Sequence, residues 1–149
     1  MQGASEYRPI SEYAAIGNLR TTALICTDGS IDWCCLPHLE NPSVFGAVLD
    51  SRRGGRFRVS IPGARGRQRY MKDTNVLQTE LFSDAGKLTI TDFMPLSGDI
   101  TGIGRSEAPC EIHRVLRSDG ERLAVDIEWS PRFDYGRAPV RMSRAGDAW

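Results

Sequence analysis

Two groups of residues in this sequence could do chemistry. Asp32 and Trp33 stand side by side in the segment Asp28-Gly29-Ser30-Ile31-Asp32-Trp33-Cys34-Cys35-Leu36-Pro37, and Arg132, Asp134 and Tyr135 follow Pro131. Aromatic faces stack on pyranose rings and carboxylates accept hydroxyl protons, so each group suits one wall of a carbohydrate site. A structural reading stands beside each. Trp33 can be core, with Asp32 fixing a neighbouring backbone or an arginine such as Arg20, because buried carboxylates are normally paired. Pro131, Asp134-Tyr135 and Gly136 equally describe a turn at an interface, since a Pro-flanked aromatic and charged loop has little reason to be core.

Other chemistries find less support. Asp32 and Asp134 acting as a glycosidase pair would need one carboxyl of raised pKa across a cleft from the other, about 5 to 9.5 Å away, and sequence does not set that separation. Neither His38 nor His113 has a glycine-flanked serine elbow to serve. Gly102 to Gly104 lacks the strand-to-helix setting and the Lys-Ser or Lys-Thr end of a phosphate loop. The histidines have no metal-ligand spacing around them and no Cys-x-x-Cys pair exists, so neither a metal nor a cofactor is expected. Arg65, Arg67, Arg69 and Lys72 interleave with Tyr70, but Gly63 to Arg67 reads as a basic hairpin tip and therefore as solvated surface.

The elements that must position these residues are strands. Thr22 to Thr27 is β-rich, Asp28-Gly29 supplies a tight turn, and Ser30 to Leu36 returns as a hairpin. Strict alternation would put Ile31, Trp33 and Cys35 on one face and Asp32, Cys34 and Leu36 on the other. Phe57, Val59 and Ile61 alternate with Arg56, Arg58 and Ser60 up to Pro62-Gly63. Val76 to Ser83 and Lys87 to Met94 flank Asp84-Ala85-Gly86, predicting a hairpin with a three-residue loop; Ile112 to Arg117 and Leu123 to Trp129 flank Ser118 to Arg122, predicting another. Leu123, Val125, Ile127 and Trp129 occupy every second position, so that side is expected to be buried. One helix of about two turns is predicted after Asn41 as N-cap, with Pro42 first and Val44, Phe45, Val48 and Leu49 at helical spacing. Ser97 to Pro109 reads as a flexible loop. The fold class is therefore all-β, an antiparallel β-sandwich with one short helix.

Composition narrows the partners. The 149 residues suffice for one domain, and 19 basic residues balance 19 acidic ones, so no field of one sign draws nucleic acid or an anionic membrane. No apolar run approaches the ~20 residues of a membrane span, and Met1 to Glu6 lacks a leader's pattern, which reads as cytoplasmic. The cysteines Cys26, Cys34, Cys35 and Cys110 are expected as reduced thiols in apolar strands rather than as a disulfide framework. Val140 to Ser143 begins an alternating strand, Arg144 to Asp147 would turn it, and the sequence stops at Ala148-Trp149. The expectation is a truncated sheet with an unpaired edge and an apolar strip, and hence a homo-oligomer of the isolated domain.

Four blocks carry a family resemblance: Pro9 to Asn18; Asp28-Gly29-Ser30-Ile31-Asp32-Trp33 with Leu36-Pro37; Thr91-Asp92-Phe93-Met94-Pro95; and Pro131-Arg132-Phe133-Asp134-Tyr135-Gly136. In order and spacing the chain resembles the N-terminal domain of bacterial glycoside hydrolase family 15 proteins, the glucoamylase and trehalase-like group. Where relatives commonly read Leu-Pro-Arg-Phe-Asp-Ser-Pro, this chain has Leu36-Pro37-His38-Leu39-Glu40-Asn41-Pro42, and Cys34-Cys35 replaces a more usual single cysteine. The resemblance implies that residues 1 to 149 are one N-terminal domain, part of a β-supersandwich, preceding an (α/α)6 barrel. That barrel supplies the two glutamates that hydrolyse α-glucosidic bonds with inversion, so this chain holds no catalytic residue of its own. The implied partners are the barrel of the same parent chain and, through it, an α-glucoside such as trehalose, maltooligosaccharide or dextrin. A free-standing carbohydrate-binding module and a purely structural scaffold are the alternatives.

Overall fold

The computed structural model describes residues 7–96, 108–119 and 122–143. A 3-10 turn at Ile10–Glu12 leads into β1 (Tyr13–Gly17), β2 (Thr22–Cys26), β3 (Ser30–Cys35), β4 (Ser43–Phe45) and β5 (Arg56–Ser60). Then come β6 (Arg65–Tyr70), β7 (Leu77–Ser83), β8 (Gly86–Phe93), β9 (His113–Asp119), β10 (Asp126–Ser130) and a short helix, α1 (Phe133–Gly136). One antiparallel sheet runs β1-β2-β3-β5-β10, with β4 also on β3; the other runs β6-β7-β8-β9. The expected all-β sandwich is what forms.

Two clusters fill the space between the sheets. Ile16, Ile25, Ile31, Cys34 and Phe45 of the first sheet meet Leu77 and Met94. Val59 and Ile61 meet Leu81, Leu88 and Ile90. Each aliphatic side chain so removed from water contributes about 1.5–3 kcal/mol of transfer free energy. Close backbone approach fixes strands within and between the layers. A Cβ on Gly29, whose φ is 86°, would stand 2.3 Å from the Val59 carbonyl of the same sheet, and one on Gly66 in β6 would fall 1.7 Å from that of Thr27, which follows β2 of the other.

Several expectations are corrected. The helix predicted after Asn41 is absent: Ser43–Phe45 is strand β4, and the helix lies at Phe133–Gly136 instead. The Asn41 side chain is spent on a turn, its Oδ1 accepting the His38 amide at 2.9 Å, while β3 recruits Phe45 opposite Cys34. The predicted β9–β10 hairpin does not form, because β9 pairs with β8 in one sheet and β10 with β5 in the other. Ser83 pairs with Gly86, so Asp84-Ala85 alone makes the β7–β8 turn. Arg65 to Arg69 belong to edge strand β6 rather than to a hairpin tip. Val140–Ser143 form no strand. Cys110 is exposed outside any strand, while Cys26, Cys34 and Cys35 are buried free thiols. The loop predicted at Ser97 to Pro109 falls largely outside the described residues, as do Met1 to Glu6, Gly102 to Gly104, two residues of the Ser118–Arg122 turn and everything after Ser143.

The alternation drawn for β3 also fails, at one residue. Ile25 pairs with Ile31 and Leu24 with Trp33, so Asp32 is an extra residue on β3, a β-bulge. The bulge lets Ile31 and Cys34, three apart, share the first core cluster.

The last strand of the first sheet overhangs the second. Its inward residues Ile127 and Trp129 pair with Val59 and Phe57, yet remain 62% and 47% exposed, although Leu123 and Val125 pack against the core. The burial expected for that whole face is thus only half realised, and an apolar groove lined by Phe57, Ile127, Trp129 and Met142 is left open.

Candidate functional site

The bulge sends Asp32 and Trp33 to different places. The Asp32 carboxylate is 4% exposed and accepts hydrogen bonds from Ser30 Oγ at 2.5 Å and Tyr13 Oη at 2.7 Å. Its partners are hydroxyls, not Arg20. It borders a polar cavity of about 230 Å³ with Tyr7, Arg8, Asp28, Ser51, Arg56 and Arg58. Sequence reasoning missed those residues as a group. The available signal was the Arg56/Arg58 alternation, which brings both guanidiniums to one side of β5. Asp28 joins them by terminating β2, its Oδ1 accepting the Ser30 amide at 3.2 Å. Arg8 pairs with Glu12 at 3.2 Å and, like Arg58, approaches Asp28 at 3.5 Å. Burial and the Asp32 hydrogen bond both hold the Tyr13 phenol well above the ordinary tyrosine range.

Trp33 instead meets Tyr135, ring centroids 6.2 Å apart at 42°. Tyr135 reaches it from a turn that few sequences could make. Asp134 and Tyr135 adopt left-handed φ values of 53° and 56°, followed by Gly136 at 77°. Consecutive left-handed residues that are not glycine are costly, about 1–2 kcal/mol each, and persist where surrounding contacts over-determine them. Those contacts are visible. The Arg132 amide donates to the Val44 carbonyl at 2.9 Å, Gly136 donates to the Arg132 carbonyl at 3.3 Å, and Arg137 Nη2 bonds Asp134 Oδ1 at 2.7 Å. Tyr135 and Gly136 then border a second cavity, of about 190 Å³, with Gly46, Asp50, Arg53 and Arg137.

Of the five residues singled out in the sequence, the structure thus brings Trp33 and Tyr135 together, while Asp134 of the same turn bonds Arg137. Arg132 serves the turn itself, its stem packed over Gly55 and its Nη1 bonded to the Pro131 carbonyl at 3.1 Å. Asp32 lines the other cavity. Among the described residues no group of three or more His, Cys, Asp or Glu side chains could hold a metal ion. No helix among them is long and apolar enough to cross a membrane.

A family model described as "Trehalase-like, N-terminal" matches residues 1–149. The chain is 38% identical over 136 residues to a trehalase of Thermoplasma volcanium, covering 88% of this chain and 21% of that protein. It is 31% identical over 158 residues to a trehalase of Mycolicibacterium smegmatis, covering 96% and 23%. Trehalase 1 of Sulfolobus acidocaldarius is 39% identical over 129 residues, covering 81% and 19%. The chain therefore spans about a fifth of the length of the curated relatives it matches. No solved structure matches it.

Proposed function

Since the chain belongs to the trehalase-like N-terminal family, we propose that it is the accessory domain of a glycoside hydrolase family 15 protein and supports a catalytic barrel encoded in the same longer chain. In this reading residues 1 to 149 are part of a supersandwich, and the hydrolysis of an α-glucoside with inversion belongs to two glutamates of the barrel. Trehalose is the foremost candidate substrate, with glucoamylase-type dextrins next. Three buried free thiols favour a reducing compartment, the cytoplasm, as the location.

The observation that carries the proposal is the uncovered inward face of β10. Exposed apolar grooves of this kind mark interaction surfaces, and Ile127 and Trp129 continue a core face rather than decorate an outer one. Mixing the chain with the separately produced catalytic part of its parent should give a complex by analytical ultracentrifugation, with a blue-shifted Trp129 emission. Two species sedimenting independently would overturn the reading.

The Trp33–Tyr135 pair favours a second reading, in which the domain itself touches sugar. An indole and a phenol held by a strained turn offer a preorganised stacking wall, with Asp134 and Arg132 on the same turn and Asp32 behind the strand. Titration with trehalose and maltooligosaccharides, followed by tryptophan fluorescence, separates the two. Absence of binding at millimolar sugar leaves the domain a scaffold.

A further inference from the structure

We propose that the polar cavity bounded by Asp32, Arg56 and Arg58 is a binding site for a carboxylate group. The argument is a count of hydrogen-bonding capacity. The carboxylates that border the cavity are already engaged by the protein. Asp32 takes Ser30 Oγ on one oxygen and Tyr13 Oη on the other, while Asp28 takes the Ser30 amide on Oδ1 and faces Arg8 and Arg58 with Oδ2.

Donors, by contrast, are in surplus. Among the described residues Arg56 gives only Nη2 to a protein acceptor, the Ser51 carbonyl at 3.0 Å. Arg58 Nε is buried without a hydrogen-bond partner, its approach to Asp28 at 3.5 Å being an ion pair only, and Ser51 Oγ is buried and unpartnered beside it. Buried polar atoms in folded proteins are seldom left so, and two of them bordering one cavity offer an incoming acceptor a ready pair of donors.

Charge and shape choose the acceptor. Three guanidiniums and two carboxylates line the cavity, and Glu12 balances Arg8 from outside the lining, which leaves Arg56 and Arg58 as the guanidiniums with donors to spare. A sugar hydroxyl would satisfy one donor but brings a proton that needs an acceptor of its own, adding to the donors already there. A planar monoanion needs none and matches the fork of a guanidinium. Formate, acetate or the side chain of a glutamate or aspartate carries that group.

The test uses the 149-residue chain labelled with 15N. Formate, titrated against chloride at matched ionic strength, should shift the Arg56 and Arg58 Nε–H signals saturably, and Arg56→Gln should weaken binding about tenfold or more. Arg56→Lys, which keeps the charge and loses the fork, should weaken it as well. Signals that move only as they do in chloride would overturn the site, and inorganic phosphate binding more tightly than formate would overturn the carboxylate assignment. The source is read from a third ligand: N-acetylglutamate amide binding more tightly than formate assigns the group to a protein side chain, and the reverse to a small free acid.

Discussion

Arg114 of β9 and Asp92 of β8 form a two-pronged ion pair, Nε to Oδ1 at 2.7 Å and Nη2 to Oδ2 at 3.1 Å, with 4% and 0% of their side chains exposed. The pair is also a bolt between the sheets. Arg114 Nη1 donates across to the Gly29 and Phe57 carbonyls at 2.9 and 3.1 Å, and the guanidinium lies 4.8 Å from the Phe57 ring centre. Strand β5 of the first sheet and its β2–β3 turn thus both depend on one side chain of the second.

Arg114→Met should therefore cost about 3–5 kcal/mol, because it strands the Asp92 charge in the core and orphans two carbonyls. The double change Asp92→Leu with Arg114→Met should recover part of that loss. Urea denaturation measures both. A loss under about 1 kcal/mol for the single change would show that the pair is not a structural link.

Burial pushes the Cys26 thiol up to about 11 and the Cys34 thiol to about 12, and raises Cys35 also. A thiol is reactive only as thiolate. Near pH 8 a disulfide reagent should thus modify one cysteine quickly in the folded chain, the exposed Cys110, and all four in urea. Rapid folded-state labelling of Cys34 would contradict the core packing described.

How far these relationships could be read in advance depends on whether they are local. The β2–β3 and β7–β8 hairpins were legible because Asp28-Gly29 and Gly86 announce turns between alternating runs. The pairing of β10 with β5 was not, since the alternation of Leu123 to Trp129 says that a face is apolar and nothing about which neighbour it joins. Asn41-Pro42 carried a helix-start signal that the free edge of β3 overrode. Trp33 and Tyr135 were each visible as candidates, yet their meeting depends on left-handed Asp134 and Tyr135, which no residue type there demands. The cavity around Arg58 was hidden because it needs the bulge.

Glu80, 7% exposed in its side chain, is bonded to Arg67 at 2.7 Å and approached by Lys87 at 3.6 Å. The Arg67 hydrogen bond holds its carboxyl below the ordinary value of 4.5. A depressed carboxyl stabilises the fold above that value, and the contribution is lost as pH falls through the folded pKa. Wild type should accordingly lose part of its thermal midpoint below about pH 4.5 that Glu80→Gln lacks at every pH. Parallel midpoint curves for the two proteins between pH 3 and 6 would remove this ion pair from the acid response.

Ile127→Lys tests the overhanging strand. The wild-type chain is expected to self-associate and to bind a hydrophobic dye through its open apolar groove, and the lysine should abolish both without lowering the unfolding midpoint, since Ile127 is already 62% exposed. Light scattering and dye fluorescence are the measurements. A wild type that is monomeric and dark to the dye would contradict the expectation.

The single unpaired residue on β3 has a consequence for how this segment can vary. Removing Asp32 would take away the bulge and the carboxylate together, yet Ile31, Trp33 and Cys34 would still face Ile25, Leu24 and Ala23 in unbroken alternation, with the indole outside and the Cys34 side chain inside. What such a deletion forfeits is the pair of hydroxyl bonds to Ser30 and Tyr13, not the division between the two surfaces. This spot is therefore a place where the strand can shorten by one residue and keep its faces, and the demand on it is one of chemistry rather than of length.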